Sequence, residues 1–130
     1  MHKIGDRQVD DFTWAYITAA FWTTDEEEFP EYCYSGEFSI SEEDALRLAP
    51  AALTLIITVC QEFQQLNADL LDASMLSDDQ AGHDFWLTRN RHGSGFWARN
   101  VIGGDALTEA AHNYGEVSLY KGDDGLIYHG

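Results

Sequence analysis

The amino-acid sequence predicts an α+β fold, a mostly helical single domain over residues 1–130 with a small C-terminal antiparallel β-hairpin or sheet. Three observations predict this class. Apolar residues recur at helical spacing in several segments. Two runs rich in β-forming residues flank Asp124-Gly125, a hairpin turn signal. A chain of 130 residues that is 45% apolar can fill one hydrophobic core, so one domain is expected.

The first predicted helix follows residue 10 and has an aromatic face. Asp10 and Asp11 place a capping side chain and negative charge at the positive end of the helix dipole. Trp14, Ile17 and Phe21 then fall at positions i, i+3 and i+7. This face is predicted to pack into the core.

A long connection is predicted over residues 23–40, which contain Pro30 and Gly36 and show no sustained hydrophobic period. Connections longer than about 12–15 residues are uncommon in compact domains unless they are functional or disordered. The aromatic residues of this segment indicate that part of it packs against the domain.

Two helices are predicted on either side of Pro50. Ser41 and Asp44 have the spacing of a capping box and open a helix over residues 42–48. Because proline lacks an amide hydrogen and disfavours helical geometry at the preceding residue, we expect a break rather than a kink at Pro50. Residues 51–72 form the longest predicted helix. Its apolar stripe consists of Leu53, Ile56, Ile57, Cys60, Phe63 and Leu70.

The segment over residues 77–97 has two competing interpretations. Ser77 and Gln80 form a second capping box, which predicts a helix that opens at Asp78 and runs to Arg89. A hairpin that pairs residues 85–90 with residues 95–97 around a glycine turn is the alternative. The sequence does not decide between them.

A compact helix and a hairpin complete the predicted fold. The helix covers residues 106–114, with Asp105 as its cap and Gly115 as its stop. The hairpin joins residues 116–120 to residues 126–128.

The charge of the chain is strongly negative and unevenly distributed. Acids outnumber bases by 23 to 7, a formal net charge of −16. Residues 1–80, an acidic helical part, have a net charge of −14, whereas the aromatic and β-containing residues 81–130 have a net charge of −2. Such a field repels nucleic acid and anionic membranes and attracts basic partners. Acids that serve only solubility are the alternative.

Two acidic stretches are the predicted partner-binding site. Their carboxylates could reproduce the negative spacing of a phosphate backbone and compete for the basic groove of a nucleic-acid-binding protein. The candidate residues are Asp25, Glu26, Glu27, Glu28, Glu31, Glu42, Glu43 and Asp44.

A second candidate surface combines aromatic residues with cations. Trp86 and Trp97 bracket Arg89 and His92. Aromatic residues and arginine are enriched at protein-binding hot spots, and they could also stack on single-stranded bases. The alternative is that the Phe-Trp pairs are buried in the core while the arginines are solvated.

The sequence contains no recognisable catalytic or metal-binding motif. His83, Arg89 and His92 could line a substrate pocket, since a His-Asp pair beside an arginine can act as acid, base and oxyanion clamp, but no nucleophile accompanies them. Hydrogen bonds between the backbone and the His83 and Asp84 side chains in a tight turn are the structural alternative. The histidine spacing suits no metal site, so neither metal nor cofactor is expected.

The sequence predicts a cytoplasmic location. No apolar run reaches the roughly 18 residues of a membrane span, and the first residues lack the apolar stretch of a secretory signal. Cys33 and Cys60 have no Cys-x-x-Cys spacing, which is consistent with a reducing compartment.

Residues 81–128 resemble the C-terminal part of a group of small acidic proteins of bacteriophages and other mobile elements, whose activity is uncharacterised. The similarity lies in the stretches AGHDFWLTRNRHGSGFW, LTEAA and YKGDDGLIY. Arg91 departs from the group's pattern, which leads us to expect glycine there. The resemblance implies a genomic setting in a host bacterium and no particular chemistry.

Together these observations predict an inhibitor of a host nucleic-acid-handling defence system, of the anti-CRISPR or anti-restriction type. It would act without enzymatic activity, by acidic DNA mimicry and protein binding in the host cytoplasm. The alternative is a non-enzymatic accessory module whose acids serve solubility. In that case the Phe-Trp segment would dock a partner or mediate a homodimer.

Overall fold

The computed structural model describes residues 2–23, 40–92 and 95–130. The described residues are 58% helical, and they include a two-stranded antiparallel sheet near each end of the described chain. The predicted α+β class is therefore confirmed. The connection predicted over residues 23–40 lies outside the described residues except at its two ends, and so does Cys33.

An N-terminal hairpin that was not predicted from the sequence precedes the first helix. Strand β1 (His2–Ile4) pairs with strand β2 (Arg7–Val9), and the turn between them passes through Gly5 with a φ of +61°. Each strand is three residues long, too short for an alternating pattern to stand out. The hairpin contributes Ile4 and Val9 to the core.

Helix α1 (Asp11–Trp22) is the centre of the core. The Asp10 carboxylate accepts a 2.8 Å hydrogen bond from the backbone amide of Thr13, which confirms the predicted cap. Ile17 and Phe21 are fully buried, whereas Trp14 is half-buried. Residues on the other sides of the helix are buried too, so it has no wide water-facing stripe.

The capping box at Ser41 is present and opens helix α2 (Glu42–Ala45), which is shorter than predicted. Its two reciprocal bonds are 3.0 Å from the Asp44 amide to the Ser41 hydroxyl and 3.1 Å from the Ser41 amide to the Asp44 carboxylate. Pro50 is the first residue of helix α3 (Pro50–Leu66), which confirms the predicted break.

The single helix predicted over residues 51–72 is wrong, because the chain forms α3 and a separate helix α4 (Ala68–Ser74). The break falls at Asn67, where φ is −118° and ψ is 23°. The Asn67 side chain donates a 2.9 Å hydrogen bond to the Phe63 carbonyl. Asparagine competes in this way with the backbone bonds that would continue a helix.

Helix α5 (Asp78–Arg89) follows, and the hairpin interpretation of residues 85–97 is wrong. The Ser77 hydroxyl accepts from the Gln80 amide at 3.1 Å. Core residues surround α5, since Phe85 stacks on Phe63 with ring centroids 4.0 Å apart while Trp86 meets Tyr16 edge-on at 5.2 Å. A half-solvated hairpin strand could not bury both neighbouring rings.

The chain leaves α5 through Arg91, whose φ of +58° lies in the left-handed region that favours glycine. It then forms a 3₁₀ helix (Phe96–Ala98) that is fixed to α5 by a 3.0 Å bond from the Phe96 amide to the Thr88 hydroxyl.

Helix α6 (Gly104–His112) begins earlier than predicted, and Asp105 is not its cap. The preceding residue is Gly103, whose φ is +78°. A Cβ at Gly103 would lie 3.2 Å from the Leu70 side chain. The close approach to α4 and the left-handed turn both favour glycine, which explains why the helix starts here.

The predicted C-terminal hairpin is confirmed as strands β3 (Leu119–Lys121) and β4 (Ile127–His129). It docks on the segment between α2 and α3, because the Ile127 amide donates to the Arg47 carbonyl at 2.9 Å and the Ala49 amide donates to the Ile127 carbonyl at 2.8 Å. Among the described residues, no helix combines the length and apolar character that crossing a membrane requires.

Candidate functional site

The acidic residues predicted as a partner-binding site are only partly within the described structure. Asp25, Glu26, Glu27, Glu28 and Glu31 lie outside the described residues. Glu42 and Glu43 are exposed on the first turn of α2. Asp44 is half-buried and engaged in the capping box, and Glu42 accepts a 2.8 Å hydrogen bond from the Lys3 amide.

A different set of exposed acids lies on α4 and α6, two helices that pack against each other. The set is Asp69, Asp72, Asp105 and Glu109, and we call it the α4–α6 surface. Neither residues 48–88 nor residues 100–120 contain a lysine or arginine. These acids were not predicted as a site, because they form no consecutive run and are spaced singly along two helices.

Large exposed apolar side chains lie at or beside the ends of α3, α4 and α6. Leu66 ends α3, Met75 follows α4 and Ile102 precedes α6, and their exposures are 73%, 89% and 74%. An adjoining groove of about 590 Å³ is lined by Leu66, Glu62 and Tyr114, among others. The Tyr114 hydroxyl donates a 2.7 Å bond to the Glu62 carboxylate. Burial and this carboxylate raise the pKa of Tyr114.

The aromatic and basic candidates do not form one surface. Trp86 is buried, with its indole N–H donating to the Thr23 hydroxyl at 2.7 Å. Arg89 is buried as well, so these two residues are wrong as partner contacts. Their burial follows from the position of α5 inside the core. His92 is half-buried, and Trp97 is 56% exposed on the 3₁₀ helix.

Arg89 is held by three uncharged oxygen acceptors, and the expectation that the arginines are solvated is wrong for it. Its Nε donates to the Gly115 carbonyl at 2.9 Å, its Nη2 to the Tyr114 carbonyl at 2.8 Å and its Nη1 to the Tyr16 hydroxyl at 3.1 Å. The guanidinium also lies 5.6 Å from the centre of the Tyr114 ring. The cation is therefore part of the core.

The same network reaches His129 on β4. The Tyr16 hydroxyl is 2.7 Å from Nε2 of His129. Since Arg89 donates to the Tyr16 oxygen, the Tyr16 proton is available to Nε2, and Nδ1 of His129 has no partner within the described part of the chain. Burial and the nearby charge of Arg89 lower the pKa of His129 to about 4. Burial raises the pKa of Tyr16.

Asp84 is a fully buried carboxylate with a strong ion pair. Its oxygens accept from Nε and Nη2 of Arg99 at 2.9 and 3.0 Å, and from Gln80 at 3.0 Å. His83 Nδ1 lies 3.3 Å from the same carboxylate. Burial alone would raise the pKa of Asp84, but the hydrogen bonds from His83 and Arg99 outweigh it and lower the pKa. These side-chain partners replace the backbone bonds expected in a tight turn.

The structure does not assemble His83, Arg89 and His92 into one pocket. His83 lines a cleft between α1 and α5, and His92 lines another cleft beside Ser118. Arg89 points into the core network instead. The proposed pocket of the enzymatic interpretation is thus not formed by these three side chains.

The cleft between α1 and α5 has a volume of about 550 Å³, within the range of small-molecule sites, roughly 300–1,000 Å³. Helix α1 supplies one wall, α5 and the residue before it supply the other, and His2 and Arg99 lie at the edges. Its lining residues are His2, Asp11, Trp14, Ala15, Thr18, Ser77, Asp79, Gln80, His83 and Arg99.

Aromatic and polar groups are mixed in this α1–α5 cleft. The His2 ring stacks on the Trp14 indole with centroids 4.5 Å apart and an interplanar angle of 8°. His2 Nε2 is 3.3 Å from an Asp11 carboxylate oxygen. Thr18 is only 5% exposed, and its hydroxyl has no hydrogen-bond partner among the described residues.

One wall of the α1–α5 cleft has a signal in the sequence. Asp11, Trp14 and Thr18 share one face of α1 at positions i, i+3 and i+7. Which helix would lie opposite that face depends on tertiary packing, so the cleft itself was not predictable from spacing.

No group of three or more His, Cys, Asp or Glu side chains in residues 2–23, 40–92 and 95–130 is arranged to hold a metal ion. No protein-family model, curated protein or solved structure matches the chain. The functional interpretation therefore rests on the chemistry of the surfaces and clefts described above.

Proposed function

We propose that the protein is a non-enzymatic inhibitor that binds a basic nucleic-acid-handling protein of a host bacterium and competes with nucleic acid for its groove. Its targets are CRISPR effectors or restriction enzymes in the host cytoplasm, so the protein is an inhibitor of the anti-CRISPR or anti-restriction type. The observation that carries the proposal is the α4–α6 surface, where exposed carboxylates occur on packed helices in stretches without lysine or arginine.

Electrostatic competition follows from this arrangement. Duplex DNA presents about one negative charge per 1.7 Å of its axis, and proteins that bind it do so with lysine and arginine clusters. Carboxylates mounted on helices that contact each other keep their separations, so they can meet such a cluster without a large ordering cost. Opposite charge on the two partners also accelerates encounter. Binding of this kind weakens as salt rises.

The test is a DNA-binding competition assay with a panel of CRISPR effectors and restriction enzymes. We expect at least one of them to lose DNA in the presence of the protein, competitively and less strongly at higher salt. The triple variant Asp69→Asn, Asp72→Asn and Asp105→Asn should raise the inhibition constant at least tenfold.

The matched control is the triple variant Asp6→Asn, Glu116→Gln and Asp123→Asn, which removes the same charge from exposed positions elsewhere. It should leave the inhibition constant within about twofold of the wild-type value. An equal loss of inhibition in both variants would show that inhibition depends on net charge alone. The proposal is overturned by that result, or by a panel in which no enzyme is inhibited.

An accessory interaction module is the second candidate, and the exposed apolar residues favour it. Four large apolar side chains are more than half exposed, namely Leu66, Met75, Trp97 and Ile102. Soluble monomers rarely expose a large contiguous apolar patch, and such patches often bind partners. For this function, Trp97→Ala should abolish partner binding or self-association while the charge variants bind normally. Sedimentation equilibrium measures self-association directly.

A further inference from the structure

The α1–α5 cleft has a surplus of hydrogen-bond acceptors. Asp11 and Asp79 bring exposed carboxylates to its lining. The Gln80 amide nitrogen donates to Asp84, which leaves its carbonyl oxygen as the remaining polar atom of that side chain. The buried Thr18 hydroxyl has no partner among the described residues. A ligand that donates hydrogen bonds therefore suits this lining.

The charge balance of the cleft favours a cation. The one guanidinium in its lining belongs to Arg99, and its charge is matched by the buried Asp84 carboxylate through two hydrogen bonds. The exposed Asp79 carboxylate therefore adds negative charge to the described lining. The Asp11 carboxylate lies 3.3 Å from Nε2 of His2 in the same cleft. An anionic ligand would meet repulsion from Asp79 here.

The aromatic wall distinguishes between cations. The Trp14 indole is half-buried and lines the cleft together with the His2 ring stacked on it. A planar, delocalised guanidinium stacks on aromatic faces and offers five N–H donors, whereas an ammonium is compact and strongly hydrated. A guanidinium can also bond one carboxylate through two parallel hydrogen bonds.

The unpartnered Thr18 hydroxyl is the observation that points to a ligand rather than to a solvated recess. A buried hydroxyl without a partner destabilises the fold, and nearly all such groups in folded proteins are paired. Thr18 lies on the α1 wall of the cleft, one helical turn from Trp14. Threonine in a helix has two accessible χ1 rotamers, so the Thr18 hydroxyl can turn toward a donor in the cleft.

We propose that the α1–α5 cleft binds an alkylguanidinium group, carried either by a small molecule or by an arginine side chain of a protein partner. The Trp14–His2 aromatic pair stacks on the planar cation. Asp79 accepts its paired N–H donors, and Thr18 accepts a further one. The α4–α6 surface is not involved, so this proposal stands apart from the inhibitor function.

The test is an NMR titration of the full chain with agmatine and with the peptide acetyl-Gly-Arg-Gly-amide, while amide signals of Thr18 and Gln80 and the Trp14 indole signal are followed. We expect saturable shifts at these three positions with at least one probe. The corresponding citrulline and lysine peptides should bind at least tenfold more weakly. Agmatine binding without peptide binding identifies a small-molecule site, and tighter peptide binding identifies a partner's arginine.

Two variants test the named contacts. Thr18→Val keeps the shape of the side chain and removes the hydroxyl, and Asp79→Asn removes a lining charge, so each should weaken binding at least fivefold. Asp78→Asn is the matched control, because Asp78 is exposed in the same turn of α5 but does not line the cleft. Circular dichroism checks that each variant is folded.

The proposal is overturned if neither probe gives a saturable response, or if the citrulline peptide binds as well as the arginine peptide. It is also overturned if Asp78→Asn weakens binding as much as Asp79→Asn does. Failure here leaves the DNA-competition result unchanged, since the triple charge variants alter no residue of the cleft lining.

Discussion

Arg89, Tyr16 and His129 form a buried polar network in which a cation is surrounded by neutral oxygen acceptors. Arginine is rarely buried without such partners, so a sequence-based prediction places it on the surface. The acceptors come from residues 25, 26 and 73 positions away along the chain. Local spacing carries no trace of them, which is why Arg89 was expected to contact a partner.

The first prediction concerns acid pH and His129. The pKa of this imidazole is about 4 in the folded protein against an ordinary value of 6.5, so the unfolded chain binds a proton that the folded chain does not. The stability contributed by neutral His129 is present above pH 6.5 and is lost as pH falls toward 4. The loss is on the order of 3 kcal/mol at most.

Urea denaturation at pH 7 and pH 4.5 measures this loss. His129→Gln keeps a polar side chain near the Tyr16 hydroxyl and cannot titrate, so its free energy of unfolding should fall less over the same interval. Asp10 and Asp84, whose pKa values are lowered below 3.8, act at more acid pH and do not confuse the comparison. An equal fall in both proteins would contradict the assignment to His129.

Among the described glycines, Gly82 approaches another segment of backbone most closely, at the point where α1 and α5 meet. A Cβ at Gly82 on α5 would lie 2.0 Å from the carbonyl oxygen of Phe12 on α1. Real side-chain atoms cannot approach backbone so closely, so the pairing of the two helices requires glycine here. Phe12, Tyr16 and Phe85 then share one aromatic core.

The second prediction follows from that contact. Gly82→Ala should destabilise the protein by at least 1–3 kcal/mol, the usual cost of overpacking, although alanine is the better helix former. Gly104→Ala is the control, because its Cβ would meet the Phe96 carbonyl at 3.2 Å rather than 2.0 Å. Thermal or urea denaturation of both variants compares them. A Gly82→Ala protein as stable as the wild type would show that the helices separate without cost.

Helix boundaries were predicted correctly where they depend on residues close together in the sequence. Asp10, Ser41 and Ser77 cap helices as expected, because a cap involves residues only three positions apart. The break at Asn67 and the start of α6 at Gly103 depend on a single side chain and on a neighbouring helix. The choice between helix and hairpin for residues 85–97 depended on burial from all sides.

The molecule carries a net charge of −16, because its 23 acids outnumber its 7 bases. Self-repulsion of this kind destabilises the compact state. The total charge was readable from composition. The placement of four acids on α4 and α6 was not, since it required the packing of two helices that are about 30 positions apart in the chain.

The third prediction is therefore that salt stabilises the protein. Raising NaCl from 10 to 200 mM shortens the screening length from about 30 Å to below 10 Å. We expect the melting temperature to rise by about 3–6 °C, the shift that roughly 1 kcal/mol produces in a domain of this size. The triple variant of the α4–α6 surface should show a smaller rise. A melting temperature that is constant or falls would contradict the expectation.

The docking of β4 links segments that are synthesised far apart in time. Tyr16 can bond His129 only after the intervening chain has been synthesised, since the two residues are 113 positions apart. The backbone at Arg47 and Ala49 likewise forms its bonds only when Ile127 is present. High contact order of this kind slows folding. Until β4 has been synthesised, the Arg89 guanidinium and the Tyr16 phenol on the nascent helices are not fully buried. Translation and closure of the core are therefore coupled.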